Sequence, residues 1–176
     1  MHCRVGAFVI LILFAIAGRG VEGRGAEGAE RPRLVVIVSV DQLSYEYLDR
    51  FRVGMADEGF FRQVERSGAW FTEAHHRHAY TVTAPGHAVM MTGAYPNASG
   101  IIGNDWYDRR VAKSVYCVED KEYPIVGAPP GKAELKGVSP RNLRAETVGD
   151  VLKRETQGRA KVFGVTLKDR AAVLMT

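Results

Sequence analysis

Four places in this 176-residue chain combine residue types that could handle a metal or an anion. Asp41 directly follows the apolar run Leu34-Val-Val-Ile-Val-Ser-Val40. A carboxylate at the carboxyl end of a buried strand can ligate a metal, or it can cap the helix that follows. Thr83 opens Thr83-Ala-Pro-Gly-His87, ahead of a helix whose N-terminal amides and dipole favour anions. Its hydroxyl could act as a nucleophile if a metal lowered its pKa, because a free alcohol is too weak an acid. The ordinary alternative is a threonine N-cap. Asn104, in Gly100-Ile-Ile-Gly-Asn104, offers two amide donors to a phosphoryl oxygen, or it simply occupies a turn after glycine. Lys168-Asp-Arg170 follows the apolar run ending at Leu167. Its two cations could clamp a phosphate dianion, with the arginine binding in a fork, or they could lie on a solvated turn.

His75, His76 and His78 have the look of metal ligands. Adjacent side chains on an extended segment point to opposite faces, however, and no cysteine or carboxylate spacing completes a site with them. His87, one turn into the helix that follows Thr83, reads as structural.

The elements that would position these groups alternate in type. Leu34–Val40, largely β-branched and apolar at successive positions, predicts a strand buried on both faces, as in a parallel sheet. Leu43, Tyr47, Leu48 and Phe51 fall at helical spacing, and residues 59–66 predict a short helix with Phe60, Phe61 and Val64 inward. Trp70–Thr72 predicts a strand. Residues 84–92 predict a helix with Pro85 in its first turn, where proline is tolerated, and Gly93 at its end. An edge strand is expected over 113–118, a Pro/Gly-rich loop over 127–136, a helix over 146–155 with Val148, Val151 and Leu152 inward, and a second buried strand over Lys161–Leu167. Strands alternating with helices imply an α/β class with a mainly parallel sheet.

The N-terminus carries a different signal. A short basic start, the apolar run Val5–Ala17, the small residues Ala15 and Ala17, and a polar Gly-rich stretch have the layout of a secretory signal peptide. The run is shorter than the roughly 20 residues a bilayer span needs. The chain thus divides into a leader over 1–17, a flexible linker over 18–33 and a domain from 34 to 176, with no stable membrane span after cleavage. Cleavage would leave Cys117 as the remaining cysteine, read as a buried small hydrophobe. The composition, 46% hydrophobic and 25% charged, is that of a globular protein. The net charge of +4 is mild and its arginines are scattered among acids. This argues against a nucleic-acid-binding face.

Taken in order, Val38-Ser-Val-Asp41-Gln, Thr83-Ala-Pro-Gly-His-Ala88, Thr92-Gly-x-x-Pro96, Gly100-Ile-Ile-Gly-Asn-Asp-Trp-Tyr-Asp108 and Leu167-Lys-Asp-Arg170 resemble the alkaline phosphatase superfamily. The match is closest to the PafA-like bacterial phosphomonoesterases that use a single threonine nucleophile. The resemblance implies a three-layer α/β fold with a mainly parallel sheet and a site holding two Zn2+ ions. Asp41 and Thr83 would ligate one zinc, and Thr83 would form a phosphothreonine intermediate. Asn104, with the Thr83 N–H, would hold one phosphoryl oxygen, and Lys168 and Arg170 would hold the others. It further implies small phosphate monoesters as substrates and a periplasmic or secreted location. The superfamily's remaining zinc ligands are expected beyond residue 176, so the chain reads as the N-terminal part of a longer protein, inactive and unstable alone. The nucleotide pyrophosphatase/phosphodiesterase branch shares several of these motifs and is the alternative enzyme; a Lys-x-Arg clamp suits a diester less well than a monoester dianion. A non-catalytic exported binding domain is the alternative of another kind.

Overall fold

The computed structural model describes residues 12–15 (as backbone), 32–127 and 137–176, and the chain divides into Met1–Ala74 and His75–Thr176. Most of the leader and linker segments, and most of the loop expected over 127–136, lie outside the described residues.

In the first unit, β1 (Ile12–Ala15) pairs antiparallel with β2 (Val35–Val38), Ile12 facing Val38 and Ala15 facing Val35. The strand expected at 34–40 therefore exists, but its described partner is antiparallel. Its side chains are not enclosed: Val35, Val36 and Val38 are 39–45% exposed. A run this apolar is built to be covered on both faces, and the described residues do not supply those layers. Two helices follow, α1 (Tyr45–Phe51), with Leu48 buried, and α2 (Phe60–Ser67). Arg52, just past α1, pairs with Glu65 of α2 at 3.2 Å. Trp70–Thr72 forms no strand.

The second unit holds a core that positions the candidate residues. Its centre is α3 (Thr83–Thr92), where Ala84, Pro85, Gly86, His87, Ala88 and Met91 are all buried. Small residues on several sides let other segments approach the helix closely. Gly93 ends it at φ 65°, its N–H bonded to Val89 O at 2.8 Å; this left-handed closure favours glycine. The short helix α4 (Pro96–Ser99) ends in the same way at Gly100, φ 80°. There a Cβ would also come within 2.9 Å of the Asn142 carbonyl oxygen.

The chain then turns through Asn104 into a hairpin, β3 (Asp105–Asp108) against β4 (Lys113–Tyr116), in antiparallel register with Asp105 facing Tyr116. The edge strand read from the sequence is β4; its partner β3 was not anticipated. Beyond the hairpin an antiparallel bridge joins Glu119 to Val138. Buried Asp120 secures it, accepting from Ser139 Oγ at 2.6 Å and Arg141 Nη1 at 3.2 Å. These bonds, the Ser139 contact foremost, hold its carboxyl below the usual range.

Helix α5 (Val148–Glu155) begins with a capping box: Thr147 Oγ1 accepts from Asp150 N–H, and the Asp150 carboxylate accepts from Thr147 N–H. Such a cap contributes about 1 kcal/mol. Val148, Val151 and Leu152, expected inward, are exposed, and Gly149 is the buried residue of the helix. The short helix α6 (Asp169–Val173) packs on α3. Ala84, Ala88, Ile101, Cys117, Val118 and Leu174 form the sealed centre, with Trp106, Tyr116, Val138, Leu143 and Val173 around it. Burying a side chain such as Ile101 stabilises the unit by roughly 2 kcal/mol.

The class is α/β, as expected. The parallel sheet is not among the described residues, where both sheets are two-stranded and antiparallel. Lys161–Leu167 runs without a ladder, with Phe163, Val165 and Leu167 at 84%, 98% and 105% exposure. A strand needs a hydrogen-bonded neighbour as well as strand composition, and no described segment lies beside this one as a partner.

Candidate active site

Thr83 is the first residue inside α3, not its cap. The N-cap is Val82, extended at φ −71° and ψ 170°, and no side chain of its own closes the helix end. Asn104 supplies the closure instead: its Oδ1 accepts from the Ala84 N–H at 2.9 Å. Pro85 has no N–H to offer, and the Gly86 N–H begins the helical ladder onto Val82 O at 3.1 Å. Asn104 is thereby fastened to the turn that carries Thr83. An amide whose oxygen is engaged has its NH2 to present to an anion, here at the positive end of a ten-residue helix. Buried His87 adds a second anchor, its Nδ1 lying 2.7 Å from the Thr83 carbonyl oxygen. With the proton on Nδ1, the ring donates to that carbonyl and fixes the backbone of Thr83 from inside.

The backbone of Asn104 is tied as firmly as its side chain. Its carbonyl accepts from the Cys117 N–H at 2.9 Å, extending the β3–β4 ladder by one rung. The Cys117 carbonyl accepts from Asn142 Nδ2 at 3.1 Å. Burial pushes the Cys117 thiol up to about 11, so the thiol stays protonated and packs as a hydrophobe.

Arg170, half-buried in α6, donates from Nη1 to the Tyr116 hydroxyl at 2.9 Å. Burial works against its charge, but the bond to Tyr116 and the neighbouring negative groups outweigh it and hold its pKa above the ordinary value. Its Nε is buried with no hydrogen-bond partner among the described residues. An orphaned guanidinium N–H is costly to leave unmet, and it is the group a phosphate oxygen would satisfy. Lys168, also half-buried, sits at the N-cap of α6. The structure thus gathers Thr83, Asn104, Lys168 and Arg170 into the second unit, on α3, the hairpin and α6.

Asp41 lies in the first unit, in the turn after β2, half-buried and followed by Gln42 at φ 65°. It does not cap α1, whose N-cap is Ser44. The histidine segment packs on itself: the His76 and His78 rings meet edge-to-face at 5.2 Å, and Tyr95 lies 6.2 Å from His78. Burial lowers both histidine pKa values, with the neighbouring His78 adding to the effect at His76. Among the described residues no three His, Cys, Asp or Glu side chains cluster as a metal site would require, so these residues alone do not assemble a zinc centre. The sequence reading missed Tyr116, whose contacts to Asp169 and Arg170 span 53 and 54 residues; no local pattern marks it.

A threonine at a helix N-terminus, an amide locked beside it and an arginine with an unmet N–H are groups that an anion could engage. Comparison with known proteins makes this specific. A model of the type I phosphodiesterase / nucleotide pyrophosphatase family matches residues 35–171, and the chain belongs to that family. It is 42% identical over 144 residues to alkaline phosphatase PafA of Elizabethkingia meningoseptica, covering 82% of this chain and 26% of PafA. It is 40% identical over 146 residues to alkaline phosphatase PhoV of Synechococcus elongatus, again covering 82% and 26%. Its fold matches a crystal structure of a PafA variant at TM-score 0.72 and 38% identity, over 77% of this chain and 26% of that one. The chain spans about a quarter of the length of the curated relatives it matches.

Proposed function

We propose that this chain carries the nucleophile and the phosphate-binding groups of a zinc-dependent phosphoric monoester hydrolase, with the remaining zinc ligands in the rest of a longer protein. The observation that carries the reading is the Ala84 N–H to Asn104 Oδ1 bond, which fastens an amide donor to the turn that begins at Thr83. Thr83 Oγ1 would attack phosphorus in line and leave a phosphothreonine for water to hydrolyse. Asn104 would hold one nonbridging oxygen, and Lys168 and Arg170 the others. Asp41 and Thr83 are the zinc ligands proposed within this chain. Two zinc ions, where bound, would lower the pKa of the threonine hydroxyl and neutralise the leaving oxygen. The PafA variant of known structure carries substitutions at a threonine, an asparagine, a lysine and an arginine. Their order, and their Thr-to-Asn and Lys-to-Arg separations, are those of Thr83, Asn104, Lys168 and Arg170, which supports this grouping. The substrates are proposed to be small phosphate esters, met outside the cytoplasm if the leader acts as read.

The family's description as phosphodiesterase and pyrophosphatase favours a second reading, hydrolysis of diesters. A monoester dianion carries one more charge than a diester and no second substituent, so a lysine and an arginine act on it more strongly. Changing Lys168 and Arg170 together to alanine in the full-length protein should lower kcat/KM for p-nitrophenyl phosphate at least tenfold more than for bis-p-nitrophenyl phosphate. Equal losses would favour the diesterase. Elemental analysis of the intact protein separates both enzymes from a binding domain, which would carry no zinc.

A further inference from the structure

Asp169 sits between the two cations proposed to hold phosphate. A free carboxylate there would repel a dianion and compete for the same guanidinium. The structure turns it elsewhere: the Tyr116 hydroxyl donates to Asp169 Oδ1 at 2.6 Å and accepts from Arg170 Nη1 at 2.9 Å. Asp169 Oδ1 also accepts the Arg170 backbone N–H at 2.6 Å. The phenol therefore joins the acid and the base at one point. The guanidinium carbon lies 6.0 Å from the centre of the Tyr116 ring, and the ring rests against the sealed core. With Nη1 committed, the edge bearing Nε is what remains, and Nε is the atom left buried and unmet.

We propose that Tyr116 is a positioning residue for phosphate binding. Its hydroxyl parks the Asp169 carboxylate and fixes the Arg170 guanidinium so that the Nε edge meets a phosphoryl oxygen. The inference rests on the reading of Arg170 as a phosphate ligand. Tyr116 ends β4, and the next residue, Cys117, holds the Asn104 carbonyl. One strand end thus sets both Arg170 and Asn104, and with them the spacing of two phosphate contacts.

Tyr116→Phe keeps the ring and its packing but can neither donate nor accept. The test compares Tyr116→Phe, Arg170→Ala and the double variant in the full-length protein. It reads kcat/KM for p-nitrophenyl phosphate, inhibition by inorganic phosphate, and Tm. Tyr116→Phe is expected to lower kcat/KM about tenfold and weaken phosphate inhibition by a similar factor, with Tm little changed. In the Arg170→Ala background it should cost nothing further. An equal loss in both backgrounds, or unchanged phosphate inhibition, would overturn the role of Tyr116 while leaving Arg170 as a ligand. If Arg170→Ala itself alters neither kcat/KM nor phosphate inhibition, the phosphate-clamp reading falls, and this inference falls with it.

Discussion

The end of β2 and the start of α3 each present a candidate residue at the edge of an apolar element, yet they are supported very differently. At α3 the neighbours are in place. Ala84 and Ala88 are fully buried, Asn104 closes the helix end, and His87 reaches the Thr83 carbonyl. At β2 the valines are 39–45% exposed, and Asp41 sits in a turn beyond a strand whose described partner is one antiparallel segment. The groups proposed to handle phosphate therefore belong to a unit that supplies its own scaffold. Asp41, the proposed metal ligand outside that unit, belongs to one whose apolar faces call for more protein. A phosphate is held by donors from a helix end, an amide and cations, which a short stretch of chain can bring together. A two-metal centre needs many ligands at fixed distances.

The largest expected effect tests that contrast directly. The 176-residue chain alone should show no turnover of p-nitrophenyl phosphate with added zinc and should retain substoichiometric zinc by elemental analysis. The full-length protein should turn the ester over and retain zinc in stoichiometric amount. Activity in the isolated chain would erase the distinction between the two regions.

Next in size is Thr83→Ala in the full-length protein. A lost nucleophile should reduce kcat on the order of a thousandfold or more. Tm should change far less than kcat, because the N-cap of α3 is Val82 rather than Thr83. Retained activity with a fall in Tm would make Thr83 a structural residue and the comparison empty.

Asn104 should show a smaller effect and a divided one. Asn104→Ala removes both the amide donor and the oxygen on the buried Ala84 N–H. It should cost roughly 1–3 kcal/mol of stability and about a hundredfold in kcat/KM. Asn104→Asp keeps an acceptor for Ala84, and its charge suits the helix N-terminus, so urea titration should show stability largely restored. Activity should stay low, because a carboxylate repels the phosphate. If both variants lose stability and activity in proportion, Asn104 acts through folding alone.

The same contrast explains what the sequence made legible. Helix α3 is marked at both ends by local chemistry, Pro85 in the first turn and Gly93 at the close, and it falls where those residues put it. The strand character of β4 also reads out locally. Lys161–Leu167 has the composition of a buried strand and yet forms no ladder, because pairing depends on residues distant in sequence. Composition marks a β-prone run but does not supply its neighbour. Thr83 could not be told from a cap by its type. That distinction needed the Asn104 side chain, 20 residues from Ala84. Tyr116 was invisible for the same reason.

The smallest effect concerns Cys117, which sits directly behind Asn104 in the better-supported region. Its side chain is fully buried, and burial raises its pKa to about 11. At pH 8 only about one thiol in a thousand would then be ionised, and the thiolate is the reactive form. A thiol reagent should leave Cys117 unmodified in the native full-length protein and label it once urea unfolds the chain, with Cys117→Ala identifying the labelled residue. The variant itself should keep kcat/KM within about twofold, because the bond to the Asn104 carbonyl comes from the backbone N–H and survives the change. The lost sulfur leaves a cavity worth about 1 kcal/mol or slightly more. Because the folded pKa lies above the unfolded one, burial of this thiol favours the folded state below about pH 9. That contribution fades as pH rises toward 11, so alkaline destabilisation should be weaker in the alanine variant. Rapid native labelling at pH 8 would mean that the core behind Asn104 opens readily, and the firmness attributed to this region would be lost.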